Sequence, residues 1–315
     1  MAVSLKPINE QVIVITGASS GIGLATALTA AKKGAKVVLA ARSADTLDDV
    51  VQQIAAMGGE AIRVSADVAE REQLQGVADA AIARFGRIDT WVNDAGVSIY
   101  GRLDEVEEAD SRRLFDVNFW GVVNGSLIAL PYLEQGGGAL INVGSEVSEA
   151  VIPLQGMYSA SKHAVKGFTD ALRVEVEDVD KANVAITLIQ PTAVDTPYPQ
   201  HARNYMDKEP KLPDPQIDPQ KVADAILDAA CNHRRDVKVG APAVLNTLVA
   251  KVAPGLGDKM SASYVDRQHY DEPPRDPAGT LHKPGHAGRV KGTGPVSSPT
   301  RTRGPMEDGP PSTHR

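Results

Sequence analysis

A short apolar run, Gln11-Val-Ile-Val-Ile15, passes at once into Thr16-Gly17-Ala-Ser-Ser-Gly21-Ile-Gly23, and a helical pattern continues to about Lys33. This junction restricts the possible folds more than any other stretch. A buried strand that turns through glycines straight into a helix opens a parallel βαβ unit. The pattern then recurs. Strand-like runs lie at Lys36–Ala41, Glu60–Ala66, Ile88–Asn93 and Ala139–Val143, with helical stretches between them. Strands that alternate with helices across short loops predict an α/β chain whose parallel sheet is covered on both faces.

The glycine turn also predicts a ligand. Glycines let the backbone approach a diphosphate, and the helix N-terminus presents free N–H groups and a positive dipole end. Gly17, Ser19, Ser20, Gly21, Ile22 and Gly23 are therefore candidate cofactor contacts in a Rossmann-like, doubly wound sheet. A tight βα turn without a ligand is the plainer alternative. At the end of the second strand a carboxylate would favour NAD. This chain has Ala41 and then Arg42, which favours NADP over NAD because a guanidinium accommodates a 2′-phosphate. Asp67, next to Val68, either accepts from an adenine amino group or caps the following helix. The fourth strand leaves through Asn93-Asp94-Ala95-Gly96.

The chemistry is expected between residues 110 and 200. Ser145 follows the fifth strand, and Tyr158 and Lys162 open a long helical pattern to Val176. Their i, i+4 spacing puts both on one helix face. A free phenol is a poor base near neutral pH, and a nearby ammonium is expected to pull its pKa down. The Ser145 hydroxyl can donate to a substrate oxygen. Asn118 lies in an apolar stretch of a helix expected over Asp110–Leu133. It either satisfies local backbone and a kink or holds a water near the tyrosine–lysine pair.

Taken together, these segments resemble the short-chain dehydrogenase/reductase family, in its single-domain cytosolic form. Five match in order: Thr16-Gly-x-x-x-Gly-x-Gly23, Asn93-x-Ala-Gly96, Asn118, Ser145 and Tyr158-x-x-x-Lys162. The resemblance implies Tyr158 as general acid/base and Ser145 as the holder of the substrate oxygen. It implies that Lys162 depresses the Tyr158 pKa and binds the nicotinamide ribose, and that Asn118 supports a proton relay. It adds Asn93, Ala95, Gly96, Pro191, Val194 and Thr196 to the cofactor contacts. It also implies a homodimer or homotetramer, built largely on the helices that carry Asn118 and Tyr158. Two positions depart from the family pattern. Asp94 replaces an asparagine, and Thr192 replaces the glycine after Pro191.

The remaining expectations concern the periphery. A net charge of −7 argues against a nucleic-acid partner. One cysteine, Cys231, fits a reducing compartment; with no leader or apolar span, a cytoplasmic protein is expected. A catalytic domain over residues 1–240 would carry a proline-rich substrate lid at about 197–219, with Tyr198, His201, Tyr205 and Met206 as candidate substrate contacts. Val244, Leu245, Leu248, Val249, Val252 and Leu256 form a stripe on one helix over 242–256, within an extension spanning 241–269. That stripe is expected to pack on its own domain or a partner subunit, with membrane-surface contact as a weaker alternative. From residue 270 to 315, sixteen of 46 residues are Pro or Gly, which predicts a disordered tail. The functional expectation is NADP(H)-dependent interconversion of an alcohol and a ketone or aldehyde. A non-catalytic NADP-binding sensor or scaffold is the alternative.

Overall fold

All five residues of Val12–Thr16 are buried, as befits a strand covered on both faces. They form β1 of a computed structural model that describes residues 3–285 and 288–294. The other strands are β2 (Lys36–Ala41), β3 (Glu60–Ser65), β4 (Thr90–Asn93), β5 (Ile99–Tyr100), β6 (Gly138–Val143), β7 (Val184–Pro191), β8 (Arg203–Asn204) and β9 (Asp236–Val239). The helices are α1 (Gly21–Lys32), α2 (Ala44–Ala56), α3 (Arg71–Phe85), α4 (Glu108–Phe115), α5 (Gly121–Gly136), α6 (Gly156–Arg173), α7 (Tyr198–His201), α8 (Pro219–Ala229), α9 (Ala241–Val252) and α10 (Pro254–Ala262).

Seven strands form one parallel sheet in the order β3-β2-β1-β4-β6-β7-β9. Side chains alternate between its faces. Val12 and Val14 point to a core shared with Leu74 and Val77 of α3, Leu133 of α5 and Leu172 of α6. Ile13 and Ile15 point to the opposite core, with Leu24 of α1, Leu47 of α2 and Ile226 of α8. The expected doubly wound α/β fold is therefore present. The strand order reverses between β1 and β4, so a crevice opens at their carboxyl ends, where such sheets bind ligands. There Thr16 Oγ1 accepts from the backbone N–H groups of Asp94 (3.2 Å) and Ala95 (3.3 Å), tying the two exits together.

The helix expected over 110–133 runs as α4, a π-helical turn at Asp116–Trp120, and α5. Asn118 sits in that turn with no solvent exposure. Its Oδ1 accepts from Val97 N (2.8 Å), and its Nδ2 donates to Val97 O (2.9 Å) and Ser161 Oγ (3.2 Å).

Two peripheral expectations change. The stripe over 242–256 is not one helix, because Pro254 lacks an N–H and cannot continue α9. Ala253 leaves helical geometry at φ −140° and α10 begins anew. Nor does the stripe pack on its own domain: Val244, Leu245, Leu248, Val252 and Leu256 are exposed, while Ala243 and Thr247 face inward. The inward face pairs the small apolar Ala243 with Thr247, whose Oγ1 accepts from Lys238 Nζ.

The second change concerns residues 270–285 and 288–294, which lie on the body rather than free of it. Leu281 is fully buried in the α3–α5 core. His201 O accepts from Thr280 N (2.8 Å), and His282 Nε2 lies 2.7 Å from Asp110 Oδ1. The Pro/Gly-rich composition gives this stretch little core of its own. It is ordered by donors and acceptors that the folded body supplies. The rest of the expected tail lies outside the described residues.

Candidate active site

The floor of the crevice is the β1–α1 turn. Gly17 has φ +76°, and a Cβ there would lie 2.8 Å from Ala95 Cα, so only glycine allows the close approach. A Cβ on Gly23 would meet Gly17 O at 2.4 Å, so this glycine packs α1 onto the turn and its position does not face the crevice. Gly17, Ser19, Ser20, Gly21 and Ile22 line the crevice itself.

At one end lie Arg42, Asp67 and Val68. Asp67 Oδ1 accepts from Ala69 N (3.1 Å), and the same carboxylate pairs with Arg113. It does not cap α3, which starts after Glu70. Arg42 donates to the carbonyl oxygens of Thr280 and of Leu281, the latter at 3.2 Å.

At the other end Ser145, Tyr158 and Lys162 converge. Ser145 caps a short 3₁₀ turn: its Oγ accepts from Val147 N (3.3 Å), and its own N–H donates to Ser148 Oγ (3.1 Å). Lys162 is buried, donates to Val143 O (2.8 Å) and holds Nζ 5.7 Å from the centre of the Tyr158 ring. The Ser145 and Tyr198 hydroxyls lie against the Tyr158 phenol, and the two tyrosine rings meet edge-on at 5.4 Å. Pro191, Val194 and Thr196 wall this end, as do Ala95 and Gly96.

The electrostatics differ from the sequence expectation. Burial pushes the Tyr158 phenol up to about 12, and Asp94 and Glu146 push the same way. Desolvation brings Lys162 down to about 8, against the attraction of Asp94. In this arrangement burial favours the protonated phenol of Tyr158 over the phenolate. Asp94 is driven up to about 7 by burial, opposed by Lys162 and by the Gly23 N–H. A carboxylate raised in this way keeps its proton in the folded state after the unfolded chain has released it near pH 4. The contribution of Asp94 to stability is therefore present below about pH 4 and is lost as pH rises towards 7. Asp94→Asn is expected to gain melting temperature relative to wild type over that interval and to keep a constant gap above it. Thermal melts across pH 4–8 check this; a gap that does not vary with pH would remove Asp94 as the titrating group.

Two candidates stand behind the crevice rather than in it. Asn93 is turned into the sheet, where it accepts from Trp91 Nε1 (2.8 Å) and donates to Asn142 Oδ1 (2.9 Å) and Ser126 Oγ (3.2 Å). A buried carboxamide on a central strand needs such partners, and the sequence pattern did not show which way it faced. Asn118 is likewise taken up by Val97 and Ser161. Among the lid candidates, Tyr198 and His201 line the crevice. Tyr205 turns away to donate to Asp110 Oδ2 (2.7 Å). Met206 is not among the lining residues either.

Sequence reasoning missed Glu146. Its half-buried carboxyl accepts from Thr192 Oγ1 (3.1 Å) and Asn246 Nδ2 (3.0 Å), and burial raises its pKa. Thr192, which departs from the family's glycine, is what anchors it. The only signal in the sequence was its place next to Ser145.

The donor set fits a nicotinamide dinucleotide. A helix N-terminus and glycine turn lie mid-crevice, a guanidinium stands at one end, and a hydroxyl, a phenol and an ammonium meet at the other. The model of the short chain dehydrogenase family matches residues 11–207. An uncharacterized oxidoreductase of Bacillus subtilis, YxnA, is 43% identical over 276 residues, covering 87% of this chain and 77% of that protein. The putative oxidoreductase SadH of Mycobacterium tuberculosis is 35% identical, covering 81% of this chain and 92% of its own length. Among solved structures, a short chain dehydrogenase/reductase from Burkholderia phymatum in complex with NAD has a TM-score of 0.69 at 29% identity, covering 83% of this chain and 96% of that one. An alcohol dehydrogenase from Thermococcus sibiricus complexed with 5-hydroxy-NADP has a TM-score of 0.65 at 27% identity, covering 73% and 95%. The chain belongs to the short-chain dehydrogenase/reductase family and is an oxidoreductase acting on CH–OH groups.

Proposed function

We propose that the protein interconverts an alcohol and a ketone or aldehyde with NADP(H), using Tyr158 as general acid/base. The observation that carries this reading is the meeting of Ser145, Tyr158 and Lys162 at one end of a crevice floored by the glycine turn. When bound, the nicotinamide supplies or takes up the hydride. In the reducing direction the Ser145 hydroxyl donates to the carbonyl oxygen and Tyr158 gives that oxygen its proton. Lys162, across the face of the tyrosine ring, stabilises the phenolate left behind. In the oxidising direction the proton returns to Tyr158. Asn118 acts on this path by holding the π-helical turn against Val97 and α6, and so positions Lys162.

The preference for NADP rests on the β2 exit, where Arg42 stands and no carboxylate does. Arg42→Ala is expected to weaken NADPH binding by about tenfold to a hundredfold, the loss of a charge-assisted contact, while leaving NADH binding nearly unchanged. Titration of both cofactors by nicotinamide fluorescence measures this. Equal or better binding of NADH by the unaltered chain would reverse the preference.

The substrate reading is a medium-sized, mostly apolar carbonyl or alcohol compound. A second cavity adjoins the Ser145 end, with Val151, Ile152, Val249, Met260 and Tyr264 in its walls and Glu146 shared with the crevice. Turnover on a panel of ketones and alcohols graded in size and polarity tests it. Cofactor binding without turnover on any of them would favour a sensor.

A further inference from the structure

Glu146 follows Ser145 in the chain, and the proton and hydride transfers leave it without a task. It lines the reacting end of the crevice and also the second cavity beside it. The two hollows share their walls at Glu146, Val147, Ile152, Thr192, Ala193 and Pro213. A carboxylate at that junction meets both the place where a substrate oxygen reacts and the space that its other atoms fill.

This carboxylate is held in place but not neutralised. Thr192 Oγ1, at the exit of β7, donates to its Oε1 (3.1 Å), and Asn246 Nδ2 of α9 donates to its Oε2 (3.0 Å). Each oxygen keeps a further lone pair. Both donors are neutral, and no cation among the described residues pairs with Glu146. Glu149, on the same short turn, shows the contrast. It pairs with Lys251 (2.7 Å) and Lys238 (3.4 Å) and accepts from Gln190 Nε2 (3.2 Å). The Lys162 ammonium, at the same end of the crevice as Glu146, is turned to Val143 O (2.8 Å).

A carboxylate withdrawn from water with no cation beside it is costly. Burial raises the Glu146 pKa, the direction expected where no positive charge offsets desolvation. The walls of the second cavity are largely apolar, with Val151, Ile152, Val249, Met260 and Tyr264 among them. No Lys, Arg or His among the described residues lines it. Fixed negative charge at the mouth of an apolar hollow suits a cation that carries apolar groups. It also disfavours a substrate with an anionic tail.

We propose that Glu146 selects substrates with a positively charged nitrogen close to the reacting carbon: amino ketones and the matching amino alcohols. The nitrogen sits against the Glu146 carboxylate while the carbonyl or hydroxyl oxygen lies at Ser145 and Tyr158. The apolar groups on the nitrogen enter the second cavity. This rests on the reading of the Ser145 end as the reacting end. It narrows the mostly apolar substrate of that reading to one with a single positive charge. Thr192 and Asn246 are positioning residues here, since they fix the carboxylate from two sides.

The test uses the full chain, NADPH and two matched series of methyl ketones. One series ends in a trimethylammonium group and the other in its neutral isostere, a tert-butyl group, each across a range of spacer lengths. Shape is the same within a pair, so the ratio of kcat/KM values reads charge alone. Wild type is expected to favour the cationic ketone by about tenfold or more at the best spacer length, the size of one desolvated charge contact. The gain appears chiefly in KM, because the contact is made before and during hydride transfer. Glu146→Gln is expected to bring the ratio close to one, and Glu146→Asp, which keeps the charge on a shorter stem, to retain part of it. Melting curves establish that both variants are folded. A wild-type ratio near one, or in favour of the tert-butyl ketone, overturns the proposal. So does a preference for the cation that survives Glu146→Gln, since the charge is then read elsewhere. Turnover of neutral ketones without a charge preference removes this inference alone. Cofactor binding with no turnover of any ketone removes the reductase reading, and the role of Glu146 falls with it.

Discussion

Tyr158→Phe lowers kcat/KM for the best substrate found by about 10²–10⁴-fold and leaves cofactor binding within a factor of about two. The substitution removes one oxygen from a side chain whose ring stays in place against Tyr198. On the proposed reading, cofactor affinity depends on the glycine turn, Arg42 and Lys162, none of which the ring displaces. The proton is a different matter. Burial holds the Tyr158 phenol at about 12, so on the proposed mechanism its proton is retained until an oxygen that gains negative charge arrives beside Ser145. Without the phenol, that oxygen takes its proton from water or not at all. Paired measurements of turnover and of nicotinamide fluorescence titration check the split. Retained turnover would require another donor. Tyr198 is the nearest phenol to the site, so the double variant Tyr158→Phe/Tyr198→Phe would identify it.

Asn118→Ala lowers stability by roughly 2–5 kcal/mol, one of the largest single-residue effects expected in this chain. The carboxamide has no exposure and makes three hydrogen bonds, two of them to both backbone polar groups of Val97. Its removal leaves a buried N–H and a buried C=O without partners, each a penalty of about 1–3 kcal/mol. It also frees the π-helical turn that sets α4 and α5 against α6, the helix that carries Tyr158 and Lys162. Denaturant unfolding with nicotinamide fluorescence as a second readout checks the prediction. A variant with wild-type stability and lost turnover would show instead that Asn118 acts in the chemistry directly.

The fold was legible because its signals are local. Strands β1, β2, β4 and β6 announce themselves by apolar runs between turn residues, and the glycine turn shows that α1 follows β1 directly. The pair Tyr158 and Lys162 was legible for the same reason, since four residues on a helix fix a shared face. The proline break at Pro254 was equally local, yet the apolar stripe across it, from Val244 to Leu256, suggested a single helix. There, side-chain periodicity outweighed a backbone constraint that in fact governs. The stripe also suggested an inward face, while α9 docks through the small Ala243 and the polar Asn246 and Thr247.

What the sequence by itself determined is the order of elements, the class of the sheet, and the residue types brought to the carboxyl ends of its strands. Only the tertiary structure decided how those residues face one another. Asn93 and Ala95 are two positions apart, yet one braces the sheet and the other walls the crevice, because β4 lies between β1 and β6. Asp94 meets the Lys162 charge, and Glu146 finds Thr192 and Asn246, across separations that no local pattern encodes. The stretch around Leu281 is the clearest case. Its composition promises no core, and it has none of its own. One leucine and a few carbonyl oxygens suffice there because the folded body already holds an apolar site for the side chain and guanidinium donors for the oxygens. Order in such a segment belongs to the surface it meets, and that surface exists only after the rest of the chain has folded.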